Sequence, residues 1–531
     1  MNRKTLVLPA LLGLLAPTLA ACGGATAGDS GGHAIVVGTT DRFAVSEATP
    51  APFDPAAGYD IASWNVMRST FQTLLRPPRS GTEPEPEAAR ECAFTDKQGT
   101  QYRCTLREGM KFSNGSELTA QDVEFSVERM LDVGADLGPA SLLGNVDTVQ
   151  AVGDTEVVFH LKKPDATFPY KLATPAAAIL DSQTYPRSGY LEGTEVVGSG
   201  PYLLESYDAS GGVGVFVRNP DYTGTLEVRN DRIELRSFDS AEAMEKALKN
   251  GEIDVMNRTL TPAQVNRLKI ADDDRIDLVE SPGQEIRYLV FHTDHPTAGQ
   301  PAVRRAIAQI VDRKALVRDV YERTAEPLYS LVPSGLIGHR NSFFNEYGEP
   351  DPAAARRTLR AAGVDTPVPL ALHYTTDHYG AVTRQEFQQL KEQLDATGLF
   401  RTELQGTPWN AYRKEATQGS YGVYGFGWFP DFADPDNFVA PFFTEDNFLQ
   451  TPYANEEIRG ELIPQTRRET NRVDAADEFG RVQDVIAEEI PVLPLWQGKQ
   501  YIAARDDITG TEWALNSASV LQLWELGRGV S

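Results

Sequence analysis

Between Trp428 and Phe438 the chain reads WFPDFADPDNF, which places three aspartates within six residues. Pro435 suits the first position of a helix or turn, so Asp434 is its natural N-cap. Asp436 then falls in the first turn, where the helix dipole favours negative charge. Asp431 has no such local task. It follows a strand rich in glycine and aromatics, predicted over 421–429, that can carry it into a cleft. A carboxylate there can hold a cationic group, with a turn or hinge role as the alternative. Trp428 is the next candidate, either as a flat wall beside a bound chain or as a core tryptophan. Trp409, Tyr412 and Tyr424 are weaker candidates of the same kind. Thr40, Asp41 and Phe43 follow the first predicted strand, at the end where α/β sheets present ligands.

Other chemistry finds little support. The chain has no P-loop, no GxGxxG after a strand, no G-x-S-x-G elbow (the string Gly28 to Gly32 falls in the Gly-rich stretch after Cys22), no H-E-x-x-H and no C-x-x-C. Its seven histidines are scattered, and neither the pair His292 and His295 nor the pair His373 and His378 has a metal-specifying spacing. No metal and no cofactor are expected. Cys92 and Cys104 flank a segment whose Lys97-Gln98-Gly99 suits a turn between two strands. In an exported chain a disulfide across that hairpin is expected, the alternative being two buried thiols.

The third cysteine, Cys22, belongs to the address. Arg3 and Lys4 precede an apolar run, Leu6 to Leu19, too short to span a bilayer. The run ends in Leu19-Ala20-Ala21-Cys22, which is similar to a bacterial lipobox. Residues 1–21 therefore read as a lipoprotein signal peptide, Cys22 as the lipidated residue and 22–33 as a flexible tether. The expected location is the outer face of the cell membrane, on the periplasmic side in a Gram-negative cell. The 531-residue chain has 50 Lys plus Arg against 75 Asp plus Glu, a net charge of −25. Such a surface repels phosphate backbones, so nucleic acid is excluded as a partner. The length calls for two domains or more.

Strand-like and helix-like segments alternate along the chain. Arg103 to Leu106 and Met110 to Phe112 read as strands, and Ser113-Asn114-Gly115-Ser116 as a turn. Thr119 and Asp122 open a helix with Val123, Val127, Met130 and Leu131 on one face. Ser240 caps a helix ended by Asn250-Gly251, and Ile253 to Met256 resumes as a strand. Val303 to Val311 form a helical stripe, Asp312 caps the next helix, and Phe387, Leu390 and Leu394 mark another, stopped by Gly398. Val473, Phe479, Val482 and Ile486 make a late helix, and Pro491 to Trp496 a strand. This interleaving indicates α/β lobes with mixed sheets.

The stretch LREGMKFSNGSELTAQDVEFSVERM, Leu106 to Met130, resembles the signature of the family 5 extracellular solute-binding proteins, the dipeptide, oligopeptide and nickel importer class. Phe112, Gly115, Thr119, Ala120, Asp122 and Val123 supply it. Further pieces follow in family order: Gly198 to Tyr202, Arg218 to Tyr222, Gly251 to Asp254, Arg304 to Ile307 with Asp312-Arg313, Trp428 to Asp436, and Ile490 to Trp496. The resemblance implies a two-lobed periplasmic-binding-protein-like fold of type II, in the large three-subdomain form. Lobe I would hold 34–282, with an extra subdomain near 76–185, and recover 498–531; lobe II would be 283–497. Two strands would cross between them, near Ser281 to Glu285 and Gln497 to Gln500. It further implies a non-catalytic monomer that captures a di- or oligopeptide and delivers it to ABC permease subunits. A nickel chelate, haem or an oligosaccharide as ligand, a peptide-sensing role and a secreted hydrolase are the alternatives. Asp431 matches the aspartate that in peptide-binding members pairs with the ligand's α-ammonium. One departure stands out: where some oligopeptide-binding members carry an arginine for a peptide carboxylate, this chain has Gly425. Arg384, Arg413 and Lys414 are then the cations in the same lobe.

Overall fold

The computed structural model describes residues 34–46, 49–135, 138–258, 260–271, 275–445 and 447–529. The signal peptide, Cys22 and the tether lie outside the described residues. Among the described residues no helix is long and apolar enough to cross a membrane.

A mixed sheet runs through most of the molecule. Its strands lie in the order Phe400–Thr407, Val368–Thr375, Val423–Trp428, Ile276–Phe291, Val492–Arg505, Val255–Asn257, Ile35–Thr39, Arg232–Ser237, Val213–Arg218 and Tyr202–Asp208. Ile35–Thr39 is parallel to both its neighbours, while Ile276–Phe291 and Val492–Arg505 pair antiparallel. Those two are the long strands, and they tie the molecule together. Residues 276–282 pair with 499–505 on the side of Val255–Asn257. Residues 286–290 pair with 492–497 on the side of Val423–Trp428. The register breaks between Pro282 and Ile286. The strand predicted to end at Trp496 thus continues to Arg505, because it serves both halves.

The apolar side chains form separate cores about that break. One spans Ile286 to Trp496. A second gathers Ala56 to Val197 around a four-stranded antiparallel sheet. A third joins Ile35, Phe53 and Ile233 to the C-terminal Leu521, Trp524 and Leu526, so the chain's end returns to its beginning. This is an α/β fold of the two-lobed, type II kind.

Local sequence rules account for many of the elements. Thr119 and Asp122 form the capping box of helix Ala120–Val133, and Gly134 ends it in the left-handed conformation. Ser240 and Asp312 cap as expected, and Gly251 terminates Ala241–Asn250. Three expectations change. Met110 to Phe112 is no strand; Lys111 alone bridges Glu117 around the Asn114-Gly115 turn. Val473 is 63% exposed, on a 3-10 turn that precedes helix Ala476–Glu489 rather than inside it. The strands predicted over 421–429 and 253–256 span only Val423–Trp428 and Val255–Asn257.

Cys92 and Cys104 face each other across the strands Ala89–Phe94 and Gln101–Leu106 and form a disulfide. It closes a short loop in the denatured chain. Replacing both cysteines by alanine is expected to lower stability by about 2–3 kcal/mol, read by denaturant unfolding under oxidising conditions. An unchanged midpoint would show that this link constrains nothing.

Candidate functional site

Strand Val423–Trp428 is buried along its whole length. A Cβ on Gly425 would meet Phe387 at 2.4 Å, and one on Gly427 would meet the Arg287 guanidinium at 2.2 Å. Glycine is required at 425 because Phe387 fills that space, which is the physical content of the departure noted above.

After the strand the backbone is pinned by three side chains. Asp434 caps the turn Pro435–Phe438, accepting from Asp436 N at 2.9 Å, and its carboxylate is held by Arg472 at 2.7 and 2.9 Å. Asp436 takes both arms of Arg467 at 2.9 Å. Two of the three aspartates therefore have structural partners, and the arginines add to the local roles read from sequence. Asn437 performs the third task. Its Oδ1 accepts from Trp428 Nε1 at 3.1 Å and Asp431 N at 2.8 Å, and its Nδ2 donates to Asp431 Oδ2 at 2.9 Å.

Asp431 is 9% exposed and lies where the two halves meet. Its other partner is Tyr59, whose hydroxyl donates to Oδ2 at 3.2 Å from 372 positions away in sequence. Tyr59 immediately precedes Asp60, the N-cap of helix Ile61–Thr70. Both hydrogen bonds fall on Oδ2. Among the described residues Oδ1 accepts none, and no cation lies within ion-pair distance of this carboxylate. Burial pushes its pKa up to about 6, against the lowering effect of Asn437, Tyr59 and, through space, Arg68. The carboxylate reciprocally raises the Tyr59 hydroxyl, whose own burial acts in the same direction.

Further contacts join the halves around this point. Ala166 N donates to Arg467 O at 2.8 Å, Gln284 N to Ser517 O at 2.8 Å, and the rings of Tyr170 and Phe432 lie 6.0 Å apart. Cations cluster nearby. Arg287 ion-pairs with Glu285 and stacks on Tyr379 at 4.1 Å. Arg258 pairs with Asp41 at 3.1 Å. Arg413 is half-buried over the Phe448 ring at 5.6 Å and has no carboxylate partner among the described residues. Burial lowers its pKa, while Tyr379 and Tyr59 oppose that change. Arg384 and Lys414 are exposed. His378 stacks on Trp409 at 3.8 Å, and burial, with Arg287 and Arg258, holds it down at about 4, so this aromatic pair is neutral at pH 7.

The remaining candidates separate. Trp428 is 8% exposed and edge-on to Phe442 and Phe448, so it supports Asn437 from the core rather than offering a flat wall. Tyr424 is 1% exposed in the same core, and Tyr412 donates to Gly425 O at 2.6 Å from a buried position; neither has surface to offer a ligand. Phe43 is packed edge-on against Phe53 and Tyr207 in the first half's core. Asp41 and the half-buried Thr40 lie at the end of Ile35–Thr39, with Asp41 engaged by Arg258 and Thr39. Sequence reasoning missed Tyr59, Arg68 and Asn437. Asn437 stood in the same motif, and its two-sided amide was the available signal.

The chain belongs to the bacterial extracellular solute-binding proteins, family 5, whose model matches residues 83–450. It is 24% identical over 477 residues to the probable D,D-dipeptide-binding periplasmic protein DdpA of Escherichia coli K12, covering 87% of this chain and 89% of that one. Its identity to the oligopeptide-binding protein OppA of Bacillus subtilis 168 is 25% over 507 residues, 90% of this chain and 91% of the relative. Among solved structures, Helicobacter pylori DppA in complex with peptide STSA superposes with a TM-score of 0.77 at 20% identity, covering 93% of this chain and 98% of that one.

Asp431 sets a stability test. The ordinary pKa of this side chain is 3.8, and in the folded protein it is about 6, so the native state holds the extra proton between those values. Stability due to this group is therefore lost as pH rises from about 4 to 6, and the full cost, about 3 kcal/mol, stands at pH 7. Asp431→Asn is expected to remove that slope. Ligand-free protein and variant, unfolded by denaturant at pH 7.5 and 4.5, should converge as pH falls, the native chain gaining relative to the variant. Parallel pH profiles would mean that the carboxylate is solvated.

Proposed function

We propose that this chain is the extracytoplasmic receptor of an ABC importer and captures a peptide between two lobes, 34–282 with 498–531 and 283–497. The lobes pivot at the register break between Pro282 and Ile286, where both crossing strands lose continuous pairing. One observation carries the reading: a carboxylate at the junction of the halves whose Oδ1 is unclaimed among the described residues and whose side-chain donors are the neutral Tyr59 and Asn437. A buried carboxylate without a cation is costly, and a ligand's α-ammonium removes that cost. Ligand contacts supplied by both lobes exist together only in the closed form, so ligand drives closure, and the permease reads the closed shape.

The two peptide-named relatives and the family's solute-binding role support this reading over catalysis. Arg413, half-buried and with no carboxylate partner among the described residues, is the cation for the far end of the ligand. Cys22 carries the lipid that holds the protein at the outer face of the membrane. The receptor works as a monomer, without cofactor, metal or nucleic acid.

Native mass spectrometry of protein purified from its own host identifies the peptide, and calorimetry with that peptide tests the site. Asp431→Ala is expected to cost about 2–5 kcal/mol of binding, from tens to thousands of fold in affinity. N-acetylation of the peptide should cost the native chain as much and the variant nothing further. Equal affinity of native chain and variant would remove Asp431 from the site. Turnover of the peptide would refute the receptor reading.

A further inference from the structure

Trp64, on helix Ile61–Thr70, has its ring 5.4 Å from the ring of Tyr59, which precedes the helix, and 5.1 Å from the guanidinium of Arg68 on the same helix. Tyr59 reaches Asp431. Arg68 enters the wall of a separate cavity, which encloses about 530 Å³ including the solvent at its mouth. Met67, Phe71, Pro175, Leu226 and Val520 make most of the wall apolar.

The polar part of the wall is short of acceptors. Arg68 Nε and Nη1 are buried and meet no hydrogen-bond partner among the described residues. Trp524, in the same wall and 6% exposed, has its Nε1 buried without an acceptor. The one acid in the wall, Glu87, is taken up by Tyr222, Thr225 and Gln72. Arg76 is neutralised by Glu85 at 2.6 Å. The buried side-chain atoms of this wall left without a partner among the described residues are donors only, on a planar guanidinium and an indole N–H. Their complement is a group that only accepts, is planar and is anionic: a carboxylate, with an alkyl stem for the apolar walls. Burial costs an unpaired guanidinium dearly, and Arg68 is held down at about 10 by it.

We infer that this cavity is a pocket for an acidic side chain of the captured ligand, whose carboxylate is received by Arg68 and Trp524. The inference rests on the peptide reading above. Arg68 packs on Trp64, Trp64 on Tyr59, and Tyr59 donates to Asp431, so the polar wall of the pocket lies near the ammonium site and serves one of the ligand's first residues. A C-terminal carboxylate has no alkyl stem to fill these walls, and Arg413 stands in the other lobe to take it.

Calorimetry with the full mature protein tests the pocket. The probes are Glu-Ala-Ala and Ala-Glu-Ala, each against its glutamine counterpart, and the C-terminal amides of all four. The native chain is expected to prefer one glutamate peptide by about 10- to 100-fold. Arg68→Met should erase that preference, read as the ratio of glutamate to glutamine affinity within each variant, and Arg68→Lys should keep part of it. Thermal melting checks that the variants fold. A glutamate preference that is absent, or that survives Arg68→Met, overturns the inference. So does an Arg68→Met effect confined to the difference between free acid and amide, which assigns Arg68 to the chain terminus. If none of the peptides binds, the peptide reading fails, and glutarate decides the pocket alone: saturable heat abolished by Arg68→Met supports it, and no saturable heat overturns it.

Discussion

A carboxylate held at the meeting of two bodies by neutral donors is the constraint on which this molecule turns. Asp431 is fixed from one half by Asn437 and reached from the other by Tyr59, and both bonds fall on the same oxygen. Neither donor carries charge, so burial dominates and the acid is held up at about 6. Glu386, another deeply buried acid, shows the contrast. The Trp496 indole N–H donates to its Oε1 at 2.8 Å and the Tyr321 hydroxyl to its Oε2 at 2.9 Å, and both donors belong to the same core. Glu386 is raised by its burial yet satisfied in place, within one body. Asp431 is left open between two.

The backbone makes that openness usable. Two long strands carry the sheet from one half to the other, and their pairing breaks at 283–285. A Cβ on Gly283 would meet Gly498 O at 2.4 Å, so the strands approach there as closely as backbone allows. Packing on either side is dense and separate, one core beginning at Ile286 and the others ending short of the break or crossing it only by the C-terminal return. Close-packed bodies resist internal deformation, so displacement concentrates where few side chains interlock. Among the contacts that join the halves elsewhere, Ala166 to Arg467 and Tyr59 to Asp431 are single hydrogen bonds of modest net worth.

How far the sequence disclosed this follows the range of each interaction. Caps were legible because their chemistry is local: Thr119 with Asp122, Ser240, Asp312 and Asp434 each act within three residues. Strands were less so. Met110 to Phe112 had strand-like composition, but only Lys111 found a partner. Val473 fitted the helical period, yet the turn ending at Ala475 rotated it into solvent. Within the site, elimination singled out Asp431 among three aspartates because the other two had local work. For Trp428 the sequence left a wall and a core role open, and the indole N–H serves Asn437 while the ring packs in the core. Tyr59 and Arg68 had no local signature at all, since their meaning comes from a helix packed against a loop some 372 positions on from Tyr59.

The distribution of charge about the junction follows from the same physics. The chain is strongly acidic overall, yet arginines gather where the halves meet. Those with structural duties are paired: Arg467 with Asp436, Arg472 with Asp434, Arg258 with Asp41 and Arg287 with Glu285. Arg413 and Arg68 have no such partner among the described residues, and they lie on opposite halves. An unpaired buried guanidinium and an unpaired buried carboxylate each cost stability, and pairing Arg68 directly with Asp431 would relieve both. The fold instead leaves them unpaired, Arg68 against the Trp64 ring and Asp431 with Tyr59 and Asn437. Separated opposite charges that a short rearrangement would neutralise only weaken a static protein. They become favourable when one guest supplies a cation to Asp431 and an anion to Arg68 at once.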